Sequence, residues 1–171
     1  PDVALADRIA MADEVYRTRP GQDQAEAVSP APPSAPAPEL LAQVETLRTA
    51  ALTSPDDPTT LSALALAESG VGDMIAARMA QARLIDIKSD AATANDHAAL
   101  AWMMIAAAGG YVSPEAEAVL INALEKDPAN GLARYYSGLM FAQVGRPDRA
   151  FVIWKALLDD GPEDAPWIGS I

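Results

Sequence analysis

The chain has 171 residues, half of them hydrophobic, and 12 Lys and Arg against 24 Asp and Glu leave a formal net charge of −12. That is apolar material for one sizeable core, while the acidic balance repels phosphate backbones and anionic lipid and so argues against nucleic acid and direct membrane-surface binding. The lack of cysteine removes disulfides, thiolate nucleophiles and thiolate-held zinc, and no run approaches the roughly 20 apolar residues that span a bilayer.

The chain starts at Pro1 rather than Met and shows no signal-peptide pattern, so the expectation is a soluble piece of something longer. Asp2 to Arg19 carries Val3, Leu5, Ile9, Ala12, Val15 and Tyr16 among charges, which predicts a short, weakly amphipathic helix. Residues 20–38 are rich in Pro, Ala, Ser, Gln and Glu, with Pro-Ala-Pro-Pro-Ser-Ala-Pro-Ala-Pro at the end. Such a stretch lacks large apolar groups to pack and is expected to be an extended, mobile linker.

A second helix begins at Leu40, Leu41 and Val44 and stops near Ser54 and Pro55, placed to cap a helical array. Leu61, Leu64, Ala65 and Glu68, a turn at Gly70 to Asp73, and Ala77 mark a first helix pair whose second member runs on to Lys88. Thr93 with Asp96 has the form of a capping box, Gly109 and Gly110 end that helix, and Ser113 with Pro114 suits the start of its partner. Asn130, Gly145 and Pro147 punctuate a last pair in the same way. Ala116, Leu120, Ala123 and Pro128 return 34 residues later as Ala150, Trp154, Leu157 and Pro162, read as one small, large, small, proline order with the period of a tetratricopeptide helix pair.

No segment alternates with period two, so the fold class expected is all-α: a tetratricopeptide-repeat superhelix of about three helix pairs. The domains are an arm or helix at 1–19, a linker at 20–38 and a repeat domain at 39–171. Within the latter fall a capping helix at 39–54, repeats at about 58–90, 93–128 and 130–163, and a tail at 164–171.

Helix pairs of this kind leave a curved inner surface that can hold another polypeptide. The first helix of the middle repeat is apolar on both sides, with Leu100, Met103, Met104 and Ala107 on one stripe and Ala98, Ala101, Trp102, Ile105 and Ala108 opposite. One stripe is enough for a core. The candidate groove is therefore Ser62 and Leu66 from the first repeat, Ala98, Ala101, Trp102 and Ile105 from the second, and Leu132, Tyr135, Leu139 and Gln143 from the third. Trp102, Tyr135, Tyr136, Met140 and Phe141 also fit a plain core. As a trough they would accept the apolar face of an amphipathic helix through i, i+3, i+4 and i+7 anchors.

Arg78, Arg83, Arg134, Arg146 and Arg149 read as a solvated face, with a clamp for a terminal carboxylate as the sharper alternative. Asp159, Asp160, Glu163 and Asp164 form an acidic patch. His97 has no nucleophile or second metal ligand nearby, the Glu115 and Glu117 pair falls on a solvent face, and Gly70-Val-Gly72 lacks a preceding strand. No catalytic, cofactor or metal residues are expected.

The stretch Ala91-Ala-Thr-Ala-Asn-Asp-His-Ala-Ala-Leu-Ala, the turn Gly109-Gly-Tyr-Val-Ser-Pro-Glu-Ala, Asp127-Pro-Ala-Asn with Ala133-Arg-Tyr-Tyr-Ser-Gly-Leu, and the ending Gly161-Pro-Glu-Asp-Ala-Pro-Trp-Ile resemble the periplasmic region of the CcmI (CycH) cytochrome c biogenesis family. Asp7-Arg-Ile-Ala and the Pro-rich spacer resemble the segment after that family's second transmembrane helix. The resemblance implies the periplasmic part of an inner-membrane-anchored chaperone. It would capture apocytochrome c, chiefly through its C-terminal helix, and present it to components of the haem-ligation complex. An assembly scaffold that recruits folded components of a membrane complex through its repeat surface is the competing function.

Overall fold

A computed structural model describes residues 4–30, 35–162 and 165–171. Nine α-helices and two short 3₁₀ turns are present, with no strand among the described residues. Three helix pairs make up the body: α4 (Pro58–Gly70) with α5 (Met74–Lys88), α6 (Ala94–Ala107) with α7 (Pro114–Lys126), and α8 (Gly131–Gln143) with α9 (Pro147–Asp160). Helix α3 (Pro38–Thr53) caps the first pair, and each helix from α3 to α9 packs on the next in chain order.

The pairs are cut to length by local chemistry. At the N-termini, the side chains of Asp57, Asp73, Ser113 and Asn130 accept from the amides of Thr60, Ala76, Ala116 and Ala133 at 2.8–3.0 Å, satisfying donors that the helix itself leaves unpaired. Thr93 and Asp96 close the expected capping box, each side chain accepting from the other's amide at 3.2 and 2.8 Å. The first helix of every pair ends alike. Gly72, Gly109 and Gly145 take positive φ of 82°, 65° and 80°, and the next amide reaches back five residues to the carbonyls of Glu68, Ile105 and Phe141 at 2.8–3.0 Å. This left-handed stop favours glycine because a Cβ there is strained.

The 34-residue correspondence lies on the buried faces of α7 and α9. Ala116 and Ala150 are both buried, as are Ala123 and Leu157, so a leucine fills a place that the pattern reads as small. The main core runs from Ala98, Ala101 and Ile105 through Leu120 to Met140, and a second cluster joins Ala65, Ala77 and Ala80 to Met103. Alanines on facing helices allow close approach, and each large apolar side chain buried there contributes about 1.5–3 kcal/mol. Across the α3–α4 boundary, the guanidinium of Arg48 donates to the buried carboxylate of Glu68 at 2.7 and 2.9 Å.

The amino-terminal segment forms the short helix expected there, whereas the first part of the expected loose linker is ordered against the body. Helix α1 (Leu5–Arg17) sets Ala12 against the α8–α9 turn, and residues 22–27 form a further helix, α2 (Gln22–Ala27), in which Gln22 and Ala25 are buried. Tyr16 and Arg19 both donate to Glu117, at 3.0 and 2.5 Å. The amide of Gln22 accepts from the hydroxyl of Ser113 at 2.6 Å and donates to the carbonyl of Met104 at 2.8 Å. Glu26 accepts twice from Arg78, at 2.5 and 2.8 Å. Residues 16–26 thus strap the body from α7 to α5. Polar and charged side chains make the attachment, so a reading that counts large apolar residues finds nothing to pack. Of the Pro-rich run, residues 35–37 lie in neither helix nor strand, and residues 31–34 fall outside the described residues.

Candidate functional site

Three of the candidate groove residues come together. Trp102 of α6 rests on the second core cluster and, with Leu132, Tyr135 and Tyr136 of α8, lines a cavity of about 370 Å³. The geometry of α8 follows from its neighbour. The indole of Trp154 stacks on Tyr135 at 6.2 Å and 26°, donates from Nε1 to the Tyr135 carbonyl at 3.0 Å, and sits where Gly138 has no Cβ. Tyr135 and Tyr136 meet edge to face at 5.0 Å and 70°. Burial, with a smaller contribution from Tyr135, pushes the Tyr136 phenol up to about 12, so it stays a neutral donor and acceptor at any physiological pH.

The other candidates are placed differently. Ala98, Ala101 and Ile105 are buried in the core at 1%, 0% and 2% exposure: both stripes of α6 are consumed by packing, because α6 is flanked by α5, α7 and α8 together. Gln143 is a staple, its amide accepting from the Val112 amide at 2.9 Å and donating to the Gly110 carbonyl at 2.8 Å, which ties the α6–α7 turn to α8. Leu139 is half-buried against the core. Ser62 and Leu66 are exposed on α4, Leu66 at 71%, and lie outside the cavity.

Residues that the groove reading left out complete the cavity: Pro166, Trp167 and Ser170 of the C-terminal segment form its remaining wall. Pattern reading had no handle on them, since a seven-residue stretch has no helical period to project. A larger cavity of about 690 Å³ lies between the end of α2, the α4–α5 turn and the end of α6, beside Glu26, Pro30, Met74, Ile75 and Ala106, and contains none of the candidate residues.

The arginines are largely engaged within the molecule. Arg78 holds Glu26, Arg83 pairs with Asp56, Arg134 approaches Asp160 at 3.5 Å, and Arg146 holds Asp148 at 2.8 Å, while Arg149 lies 5.3 Å over the Phe141 ring. Of the acidic patch, Asp159 pairs with Lys155, and Glu163 and Asp164 lie outside the described residues. His97 is half-buried on α6; burial, helped by Lys126, holds its imidazole below the usual range, so it is neutral at pH 7.

These features define a class: an all-α array of helix pairs, closed at one end by a capping helix and carrying an aromatic-lined depression between α6 and α8. No family model matches the chain. Two curated relatives do. The chain is 45% identical over 62 residues to the cytochrome c-type biogenesis protein CycH of Bradyrhizobium diazoefficiens, a match covering 36% of this chain and 17% of that protein. It is 34% identical over 68 residues to CycH of Rhizobium meliloti, covering 40% of this chain and 18% of the relative. The matched stretch is therefore less than one fifth of either relative's length. Over those stretches the chain is similar to the CycH (CcmI) cytochrome c-type biogenesis proteins, and among the described residues no helix is long and apolar enough to cross a membrane.

Proposed function

We propose that this domain is a holder for apocytochrome c: its aromatic-lined trough takes the apolar face of the client's C-terminal helix, and the domain delivers the client to components of the haem-ligation complex. It does so in the periplasm, as part of a membrane-anchored protein. The observation that carries the reading is the convergence of Trp102, Leu132, Tyr135 and Tyr136 on one depression, in a chain whose homologues are named for cytochrome c biogenesis. Rigid aromatic rings give large contact area at low entropic cost, which is how grooves hold amphipathic helices. A net charge of −12 suits a basic client, and a holder without cysteine forms no mixed disulfides with a client's thiols. Its role is non-catalytic, with other proteins attaching the haem.

Calorimetry with the isolated C-terminal helix of a c-type cytochrome tests the reading. Heat of binding is expected at about tens of micromolar peptide and low salt, and its absence there refutes the holder. The scaffold alternative draws on a different surface, the outer face of α9, where Phe151 and Val152 are each 66% exposed. If that face recruits a folded component, Phe151→Glu abolishes recruitment while helix binding is unaffected.

A further inference from the structure

The wall of the trough that comes from the C-terminal segment is an odd wall. Its backbone hydrogen bonds close on themselves: the amides of Ala165, Ile168 and Ser170 donate to the carbonyls of Pro162, Ala165 and Trp167 at 2.9–3.1 Å. Among the described residues, no hydrogen bond or ion pair joins 165–171 to the helices. The indole Nε1 of Trp167 is buried without a partner, so docking strips that N–H of water and returns nothing. What seats the segment is one ring, with the small side chain of Ala165 buried beside it in sequence. Trp167 lies flush on Gly131, the first residue of α8, where a Cβ would overlap its six-membered ring. The segment is packed by shape alone, and it faces Trp102, Tyr135 and Tyr136 across the open cavity.

We propose that the α8 end of the trough is an anchor site for an aromatic side chain, filled in the free protein by its own Trp167, and that a guest helix docks by replacing that indole with an aromatic residue of its own. This rests on the holder reading above and deepens it, since it names what the guest must present. The site's chemistry supports a ring over an aliphatic chain: Trp102, Tyr135 and Tyr136 offer ring faces and edges that a flat guest meets in stacked or edge-to-face geometry. The orphaned Nε1 makes the resident ring a weak incumbent, whereas a guest ring brings the rest of an amphipathic helix with it. Tail and guest then compete, and the guest's apparent affinity is reduced by the fraction of molecules whose seat on Gly131 is already taken by Trp167.

The test uses the whole chain labelled with 5-fluorotryptophan, the Trp167 signal being assigned through Trp167→Phe, and titrated with the cytochrome C-terminal helix peptide in three versions whose one apolar anchor is Trp, Leu or Ala. The Trp version is expected to bind about tenfold more tightly than the Ala version and to move the Trp167 resonance to its solvent-exposed position. Gly131→Ala expels the indole without harming α8, because alanine is the better helix former, and is expected to tighten binding of all three peptides by about tenfold. Trp167→Ala serves as the second variant, judged in the same way, should the Gly131→Ala indole stay put. If the peptides bind while the Trp167 signal does not move and neither variant changes affinity, the anchor site is refuted and the holder reading stands. If no peptide binds the unaltered chain, the holder reading falls and the anchor site with it.

Discussion

Replacing Gln22 by alanine removes the polar hinge on which the amino-terminal strap hangs. The buried amide accepts from the Ser113 hydroxyl at 2.6 Å and donates to the Met104 carbonyl at 2.8 Å. Met104 keeps its helical partner, the Ala108 amide, but the fully buried Ser113 hydroxyl is left with nothing to donate to. The two bonds that reach the body, at about 0.5–1.5 kcal/mol each and weighted upward for the stranded hydroxyl, give about 2–3 kcal/mol, while the third, to Glu26 at 2.6 Å, lies within the strap. The loss falls on local docking, because α6 and α7 retain their own cores. In hydrogen exchange at neutral pH, amides of residues 22–27 should therefore exchange about 30- to 150-fold faster, at a decade per 1.4 kcal/mol. Amides of α6 and α7 serve as the internal reference and should change little. Unchanged protection of 22–27 in the variant would refute the view that this contact orders the strap.

The strap should also respond to acid. Burial pushes the Glu26 carboxyl up, but the Arg78 guanidinium and the Gln22 amide outweigh it and hold the group below its ordinary 4.5; stabilisation from a depressed carboxyl is present above the unfolded value and lost as pH falls through the folded one, so protection of 22–27 should be complete at neutral pH and decline below about pH 4.5, and protection that persists at pH 3 counts against the Glu26–Arg78 pair. Gly138→Ala places a Cβ inside the Trp154 ring, which overpacks α8 against α9 by about 1–3 kcal/mol and should lower the thermal midpoint by about 2–4 °C per kcal/mol; an unchanged melting curve denies that packing. Trp102→Glu and Tyr135→Glu, both half-buried at the trough surface, should keep the helical circular dichroism and weaken cytochrome-helix binding by at least tenfold, roughly the effect of charging a hydrophobic anchor, whereas undiminished binding would place the guest elsewhere.

Much of the array was legible because its punctuation is local. Thr93 with Asp96, Ser113 with Pro114, Asn130 and Gly145 act within a few residues of themselves, so spacing alone reveals them, and all act as expected in the structure. The groove was legible only in part. On α6 both faces are apolar, and which one meets solvent depends on how many neighbours the helix has, a tertiary fact that put Ala98, Ala101 and Ile105 inside. Gln143 reads as a polar groove position until the α6–α7 turn is seen to need its amide. The strap was missed because Gln22 and Glu26 look like linker composition, and Arg19 like the charged end of a solvated helix, until each meets a partner some 50 to 100 residues away.

That distance matters for how the molecule comes apart. Stacked helix pairs touch only their neighbours, and such arrays fray from the ends inward. Here the segment that begins at the α8–α9 turn finishes on α5, joining the last pair to the first behind the middle one. While the strap is docked, neither terminal pair can peel away without pulling on the other, so the stack should melt more nearly as one unit than an open array would.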